Sequence, residues 1–284
     1  GDALTTGSNN VAVGFEALST EDAHGNNVAV GNRALKTLNA GAAGLNVAVG
    51  DDAGLSVTTG IQNAIIGGLA GDAVTTGQEN VYIGYGAATT DDQSDANVVI
   101  GSLAGAEMNH GDATGFTVIV GYQAGFYNVT GTSNTYIGYR AGHGNSGDSN
   151  SSNTAVGRES MLQVTTGQSN SFLGHGSGIG VTSGSNNFGI GNDTGRAGSP
   201  GGAIASSSNI GVLGDENISS LNCQVALTVA SDERDKTDFS DLNIGLDFVK
   251  ALEPVTYYWD KRSKYGDKYA DDYDLNAQTP DGTH

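Results

Sequence analysis

The chain has 284 residues, with 45 glycines, three prolines and a single cysteine, Cys223. Its formal net charge of −19 argues against nucleic acid and anionic membrane surfaces as partners. One cysteine excludes an intrachain disulfide framework. No apolar run approaches the roughly 20 residues of a membrane span, so we expect no membrane insertion.

The first three quarters of the chain are repetitive. An asparagine, three mostly apolar residues and a glycine recur, as in "NVAVG" at 10–14, "NVYIG" at 80–84 and "NFGIG" at 187–191. Internal periodicity of this kind indicates a repeat architecture. We expect residues 1–214 to form about twelve repeats of about 17 residues. Their closing glycines are Gly14, Gly31, Gly50, Gly67, Gly84, Gly101, Gly121, Gly138, Gly157, Gly174, Gly191 and Gly214.

The residue before each closing glycine is always aliphatic. Such a column is what stacked parallel strands need on a buried face. It predicts an all-β fold, a parallel β-solenoid or β-roll, in which each coil holds a strand of four or five residues, a turn, a second short segment and another turn. The asparagines are expected to bond turn backbone and stack as a ladder. The column comprises Val13, Val30, Val49, Ile66, Ile83, Ile100, Val120, Ile137, Val156, Leu173 and Ile190, with Leu213 in the twelfth copy.

A roll built from such short coils has a poor core of its own. Other strand positions are often alanine, as at Ala12, Ala29, Ala48 and Ala155. Three parallel rolls around a common axis would bury the aliphatic column between chains, so we expect a homotrimer. A lone roll with a capped edge is the alternative.

Four repeats are longer than 17 residues. They lie at 31–50, 101–121, 138–157 and 191–214. Extra residues in a solenoid must leave as loops, because the column cannot shift its register. These loops are candidates for receptor contact, and plain decoration is the alternative.

The period stops after Gly214, and the composition changes. In residues 215–230, apolar residues alternate at Val225, Leu227 and Val229, which predicts a connecting strand. Residues 231–284 predict a separate α+β module, in which an amphipathic helix ends at Pro254 and a strand follows at 255–259. The apolar face of the helix would comprise Ile244, Phe248, Val249 and Leu252.

The repeats resemble the head repeat of trimeric autotransporter adhesins. They resemble still more closely the "TTG-x-x-N-x-A-V-G-x-x-A-L" repeats of bacteriophage tail fibres. This resemblance covers residues 1 to about 215. It implies that each repeat is one turn of a left-handed parallel β-roll within a tight trimer.

The stretch that starts "SDERDK" resembles the intramolecular chaperone domain of phage tailspikes and fibres, known from endosialidase. The shared pattern is S-D-x-R-x-K, an amphipathic helix, then L-x-P-V-x-Y-x-W. It falls here on Ser231, Asp232, Arg234, Lys236, Leu252, Pro254, Val255, Tyr257 and Trp259.

This second resemblance implies that the domain promotes trimer assembly and then cuts itself off. Ser231 would be the nucleophile, Lys236 its general base, and Ala230–Ser231 the bond that is cut. A lysine can serve as a base where burial lowers its pKa. The resemblance implies intramolecular serine autoproteolysis and no external substrate. Because the family's domain usually runs well beyond 100 residues, 231–284 would be its N-terminal part.

No cofactor is predicted, although three acidic runs offer oxygen ligands for Ca²⁺. Solvated turn carboxylates are the simpler interpretation. These runs are Asp51–Asp52, Asp91–Asp92–Asp95 and Asp271–Asp272–Asp274. Tyr85, Tyr122 and Tyr139 each follow a closing glycine. They would either form a ladder that stacks on sugars or pack against neighbouring coils.

Taken together, these features predict a structural protein of the virion: the host-receptor-facing distal shaft of a phage tail fibre. Its expected partners are itself, as a homotrimer, and a host cell-surface receptor such as a glycan or outer-membrane component. One alternative is the head of a trimeric adhesin on a bacterial cell surface. Another is a polysaccharide-cleaving tailspike, which would need paired carboxylates about 5–9.5 Å apart in a groove.

Overall fold

The computed structural model describes residues 1–224 and Leu252. Residues Gly1–Asn222 form one compact unit. The predicted all-β parallel solenoid is confirmed, and no helix occurs within the described residues. The predicted strand residues Val225, Leu227 and Val229 and the α+β module at 231–284 lie outside the described part.

Twelve short strands form one sheet, and each pairs in parallel with the strand of the coil before and after it. The strands are β1 Val11–Val13, β2 Val28–Val30, β3 Val47–Val49, β4 Ala64–Ile66, β5 Val81–Ile83, β6 Val98–Ile100, β7 Val118–Val120, β8 Thr135–Ile137, β9 Thr154–Val156, β10 Ser171–Leu173, β11 Phe188–Ile190 and β12 Gly211–Leu213. Each coil is named below by the number of its strand.

The strands are three residues long, shorter than predicted, and the rest of each coil is made of turns. The reason lies in residues with positive φ. In coil 1 these are Asn9 at 60°, Glu16 at 53° and Leu18 at 51°. Such left-handed residues end an extended segment. Because the same positions repeat along the solenoid, every coil turns at the same places.

The closing glycines are required for two reasons. From Gly14 to Gly191 their φ lies between 125° and 145°, a region that only glycine adopts readily. Each also lies against the next coil. A Cβ atom added at Gly50 would stand 2.5 Å from the carbonyl oxygen of Gly67. Neither the turn nor the close approach of the coils tolerates a side chain at this position.

The predicted asparagine ladder is confirmed. The buried Asn63 accepts a hydrogen bond at Oδ1 from the backbone N–H of Asn80 (3.0 Å). Its Nδ2 donates to the carbonyl of Gly77 (2.8 Å), and its own N–H donates to Asn46 Oδ1 (3.0 Å). Each such side chain therefore satisfies the turn and strand backbone of the following coil, which fixes the register between coils. Thr117 interrupts the ladder, since its hydroxyl bonds back to its own turn.

The interior of the solenoid is small but closed. The middle residue of each strand points inward. In several coils its size is matched by the fourth residue after the closing glycine. In coil 3 both residues are small, Ala48 and Gly54, and side chains of the neighbouring coils lie against Gly54 instead. Where the strand residue is Ala29 the partner position holds Leu35, and where it is Tyr136 the partner is Gly142. This exchange of large and small residues keeps the coil's internal volume filled at close packing. The strand alanines Ala29, Ala48 and Ala155, taken above as a sign of a poor core, are part of that core, whereas Ala12 in the first coil is exposed.

Candidate functional surface

The aliphatic column lies on the outward face of the sheet, not inside the coil. Within the single chain none of its members is buried: Val13 is 56% exposed, Leu173 and Ile190 are 51% exposed, and the others are half-buried or more exposed. The strand alternates, so inward middle residues leave both flanking residues outward. In a single chain, the column therefore does not lie on a buried face as predicted. Its burial between chains stays a prediction.

The first residue of each strand adds a second outward column beside the first. It is aliphatic from Val11 to Val118 and becomes Thr135, Thr154 and Ser171 farther along. Twelve strands at about 4.8 Å spacing, each three residues long, give a face of about 53 Å by 10 Å, or about 530 Å². A largely apolar patch of this size is at the upper end of what a typical monomer exposes, and such patches are often functional.

A depression of about 250 Å³ lies on the same face, across coils 9 to 11. Its lining is almost wholly apolar and includes Val156, Leu173, Phe188 and Ile190. Gly189 lies at its floor in place of a larger inward residue, because the ring of Phe172 fills that space from below. The face is therefore not flat at this end of the solenoid, where it has an apolar depression.

Several carboxylates of the two described acidic runs make contacts within the solenoid. Asp91 is buried and accepts hydrogen bonds from the hydroxyls of Tyr82 and Ser94, and burial raises the pKa of its carboxyl to about 6. Asp52 pairs with Arg33, and Asp51 Oδ1 accepts from Asn32 Nδ2 at 2.6 Å. Calcium binding stays a prediction, and Asp271, Asp272 and Asp274 lie outside the described residues.

One trio of potential metal ligands in the described part was not singled out from the sequence. Glu21, Asp22 and His24 bring ligand atoms within 4.8 Å of one another. Glu21 already has partners, since its carboxylate accepts from the backbone N–H of His24 (2.9 Å) and of Ala40 (3.3 Å). The trio is close in sequence, but only the structure shows that Glu21 lies in the core.

Tyr122 and Tyr139 stack on each other, with ring centroids 5.7 Å apart and planes 10° apart. The guanidinium of Arg158 lies 5.6 Å from the centre of the Tyr139 ring. The two tyrosines thus pack against neighbouring coils, which was one of the two expectations. Both rings remain partly exposed, as does Tyr85.

The predicted catalytic residues Ser231 and Lys236, and Ala230 at the predicted cleavage site, lie outside the described residues. Their roles stay predictions.

A comparison with known families supports the resemblance of this segment. The family model for the chaperone of endosialidase matches residues 231–277. No curated protein and no solved structure matches the chain. The chain thus joins a parallel β-solenoid to a segment of the endosialidase chaperone type, an architecture that fits phage tail-fibre and tailspike proteins. No helix in residues 1–224 is long and apolar enough to cross a membrane.

Proposed function

We propose that this protein is the host-facing shaft of a phage tail fibre, assembled as a parallel homotrimer through the outward face of its sheet. The chaperone segment would guide that assembly and then be removed. The observation that carries the proposal is the aliphatic column, which runs the whole length of the solenoid on its outside. The match to an assembly chaperone in the same chain supports it.

Magnitudes favour association through this face. Removing this face of about 530 Å² from water contributes at most about 13 kcal/mol per chain at about 25 cal/mol per Å², since Thr135, Thr154 and Ser171 are part of it. Association costs roughly 4–15 kcal/mol in lost freedom of motion. A contact that used only part of the face would therefore be marginal. A contact along all twelve strands is needed, which requires parallel chains in register.

Light scattering on the purified chain tests the assembly. We expect the mass of three chains at micromolar concentration, without dissociation on dilution. A stable monomer would sink the proposal. The chain's acidic charge requires that the measurement be made at physiological salt, since repulsion between chains is screened there.

Self-removal of the chaperone has its own test. In the complete gene product, we expect wild type to give two fragments split at Ala230–Ser231. Ser231→Ala and Lys236→Ala should each give one long chain, because the hydroxyl is a poor nucleophile without its base. Both variants should still form trimers. Cleavage that survives Ser231→Ala, or a small fragment that begins elsewhere, would show that the nucleophile is misassigned.

A further inference from the structure

The residue directly after each closing glycine forms a line along one corner of the solenoid, here called the corner ladder. Backbone hydrogen bonds hold its members one coil apart. The carbonyl of Tyr85 accepts from Leu103 N (2.8 Å), and that of Ser102 accepts from Gln123 N (3.1 Å). Neighbouring rungs are therefore separated by about 4.8 Å, the spacing of paired strands.

Planar side chains stack along this ladder. Tyr122 lies on Tyr139, and Tyr139 lies under the guanidinium of Arg158. The rung before Tyr122 is Ser102, which has no ring. The rung before Ser102 is Tyr85, whose other side rests over Gly68, where an added Cβ atom would lie 3.6 Å from the ring. Two exposed tyrosines thus flank one missing rung.

The backbone spacing between Tyr85 and Tyr122 corresponds to the thickness of one inserted ring. Tyr85 and Tyr122 are two coils apart, about 9.6 Å along the solenoid. A ring inserted at the level of Ser102 would lie about 4.8 Å from each tyrosine, within the range of about 4.5–7 Å at which rings pack. Both tyrosines are largely exposed in the single chain, Tyr85 by 58% and Tyr122 by 46%.

The residues next to the gap along the chain are uncharged. Ser102 carries a hydroxyl, and Gln123, which directly follows Tyr122, carries an amide. The residues after Tyr85 and Ser102 are Gly86 and Leu103. The net charge of the first 230 residues is −13, from 18 acidic and 5 basic residues, which repels anions.

We propose that Tyr85, Ser102 and Tyr122 form a binding slot for a neutral pyranose ring of a glycan. A pyranose presents C–H groups on its two faces and hydroxyls around its rim. It would therefore pack between the tyrosines and bond to Ser102 and Gln123. The inference rests on the proposed host-attachment function and narrows it to one contact point and one class of ligand.

Saturation-transfer NMR on the full chain tests the slot. The probes are the methyl glycosides of glucose, galactose, mannose and N-acetylglucosamine, each at millimolar concentration. We expect transfer to the ring protons of at least one probe in the wild type. Ser102→Tyr fills the rung with the protein's own ring and should reduce the signal roughly tenfold. The substitution is compatible with the fold, because the corner ladder already holds tyrosine in three coils.

Two further variants complete the design. Tyr122→Ala removes one wall and should reduce the signal as Ser102→Tyr does. Asn32→Tyr places the same new ring at the corner of coil 2, outside the slot, and should leave the signal unchanged. The binding slot would be contradicted by equal transfer in wild type and Ser102→Tyr, by a loss of transfer in Asn32→Tyr, or by no transfer to any of the four probes.

The mass of each variant by light scattering separates this inference from the proposed function. A trimer that binds none of the probes would support the proposed assembly and contradict the binding slot. A neighbouring copy that covers the tyrosines would give this result. A monomer would contradict the proposed assembly, whether or not the probes bind.

Discussion

Tyr136 and Gly142 show how one coil accommodates a large side chain. The φ of Gly142 is 58°, and a Cβ atom added there would lie 2.6 Å from Cδ1 of the Tyr136 ring. We expect Gly142→Ala to lower the free energy of unfolding by about 2–4 kcal/mol, the sum of left-handed strain and overpacking. Denaturant unfolding of the full chain measures the loss.

Gly147→Ala is the matched control for this substitution. Its φ is 84°, but nothing lies within 4 Å of the added atom, so only backbone strain remains. We expect a loss of about 1 kcal/mol. Equal losses at the two glycines would mean that the ring of Tyr136 does not limit the space.

Asp91 is a buried carboxyl whose titration should be visible in stability. Burial raises its pKa from 3.8 to about 6. Between these values the folded chain holds the proton more firmly than the unfolded chain. The stabilising contribution is therefore complete below about pH 4 and is lost by about pH 6, a fall of about 3 kcal/mol.

Asp91→Asn removes the titrating carboxyl and so isolates its contribution to the free energy of unfolding. The variant should lack the fall that Asp91 causes between pH 4 and 6, which is measured as the difference between the unfolding curves of the two chains. The difference is required because burial lowers the pKa of His110 and His143, and this raises stability with pH in an overlapping window. Parallel pH profiles of the two chains would contradict the assignment.

At the scale of the coil, Asn63 joins three successive turns through its side chain and backbone. Asn63→Ala leaves Asn80 N–H and the carbonyl of Gly77 without these partners. We expect a loss of about 2–4 kcal/mol, measured as a lower midpoint in urea. Thr117→Asn is the reciprocal test. It should restore the ladder and raise the midpoint. A lower midpoint for Thr117→Asn would mean that coil 7 has no room for the amide.

Much of the coil could be predicted from the sequence because the closing glycine and the asparagine recur at a fixed distance. The alternation of inward and outward residues could not. Val30 and Ala29 are both apolar, and the period does not say which one faces the core. The short strands were missed for a related reason. The left-handed turns fall on Glu16, Leu18 and Arg33 as readily as on glycine, so composition does not mark them.

The same limit applies to the candidate surface. Tyr85, Tyr122 and Tyr139 were recognised by their place after the closing glycine. The gap at Ser102 becomes meaningful only when the coils are stacked and the rungs are known to be neighbours. Ser231 and Lys236 rest on the family pattern alone, since they lie outside the described residues.

For the whole molecule, the outward face decides between a single chain and a trimer. Ile66 is 38% exposed in the outward column. Ile66→Lys would bring three like charges together near the axis of the proposed trimer, and uncompensated buried charges cost several kcal/mol each. We expect this variant to be monomeric by light scattering, with its secondary structure retained.

Thr59→Lys is the control, since Thr59 is an exposed residue outside the strands. It adds the same charge and should remain a trimer. A trimeric Ile66→Lys chain would place the contact between copies on another surface.

The stacking of near-identical coils also allows the length of the solenoid to change without a change of fold. Each coil contacts the coil before it and the coil after it, so a whole repeat can be gained or lost without a new fold. Unequal recombination between copies of a 17-residue unit would lengthen or shorten the rod in steps of about 5 Å. The length of the shaft can thus evolve through the number of repeats, while exposed corner residues evolve separately and change what the shaft binds.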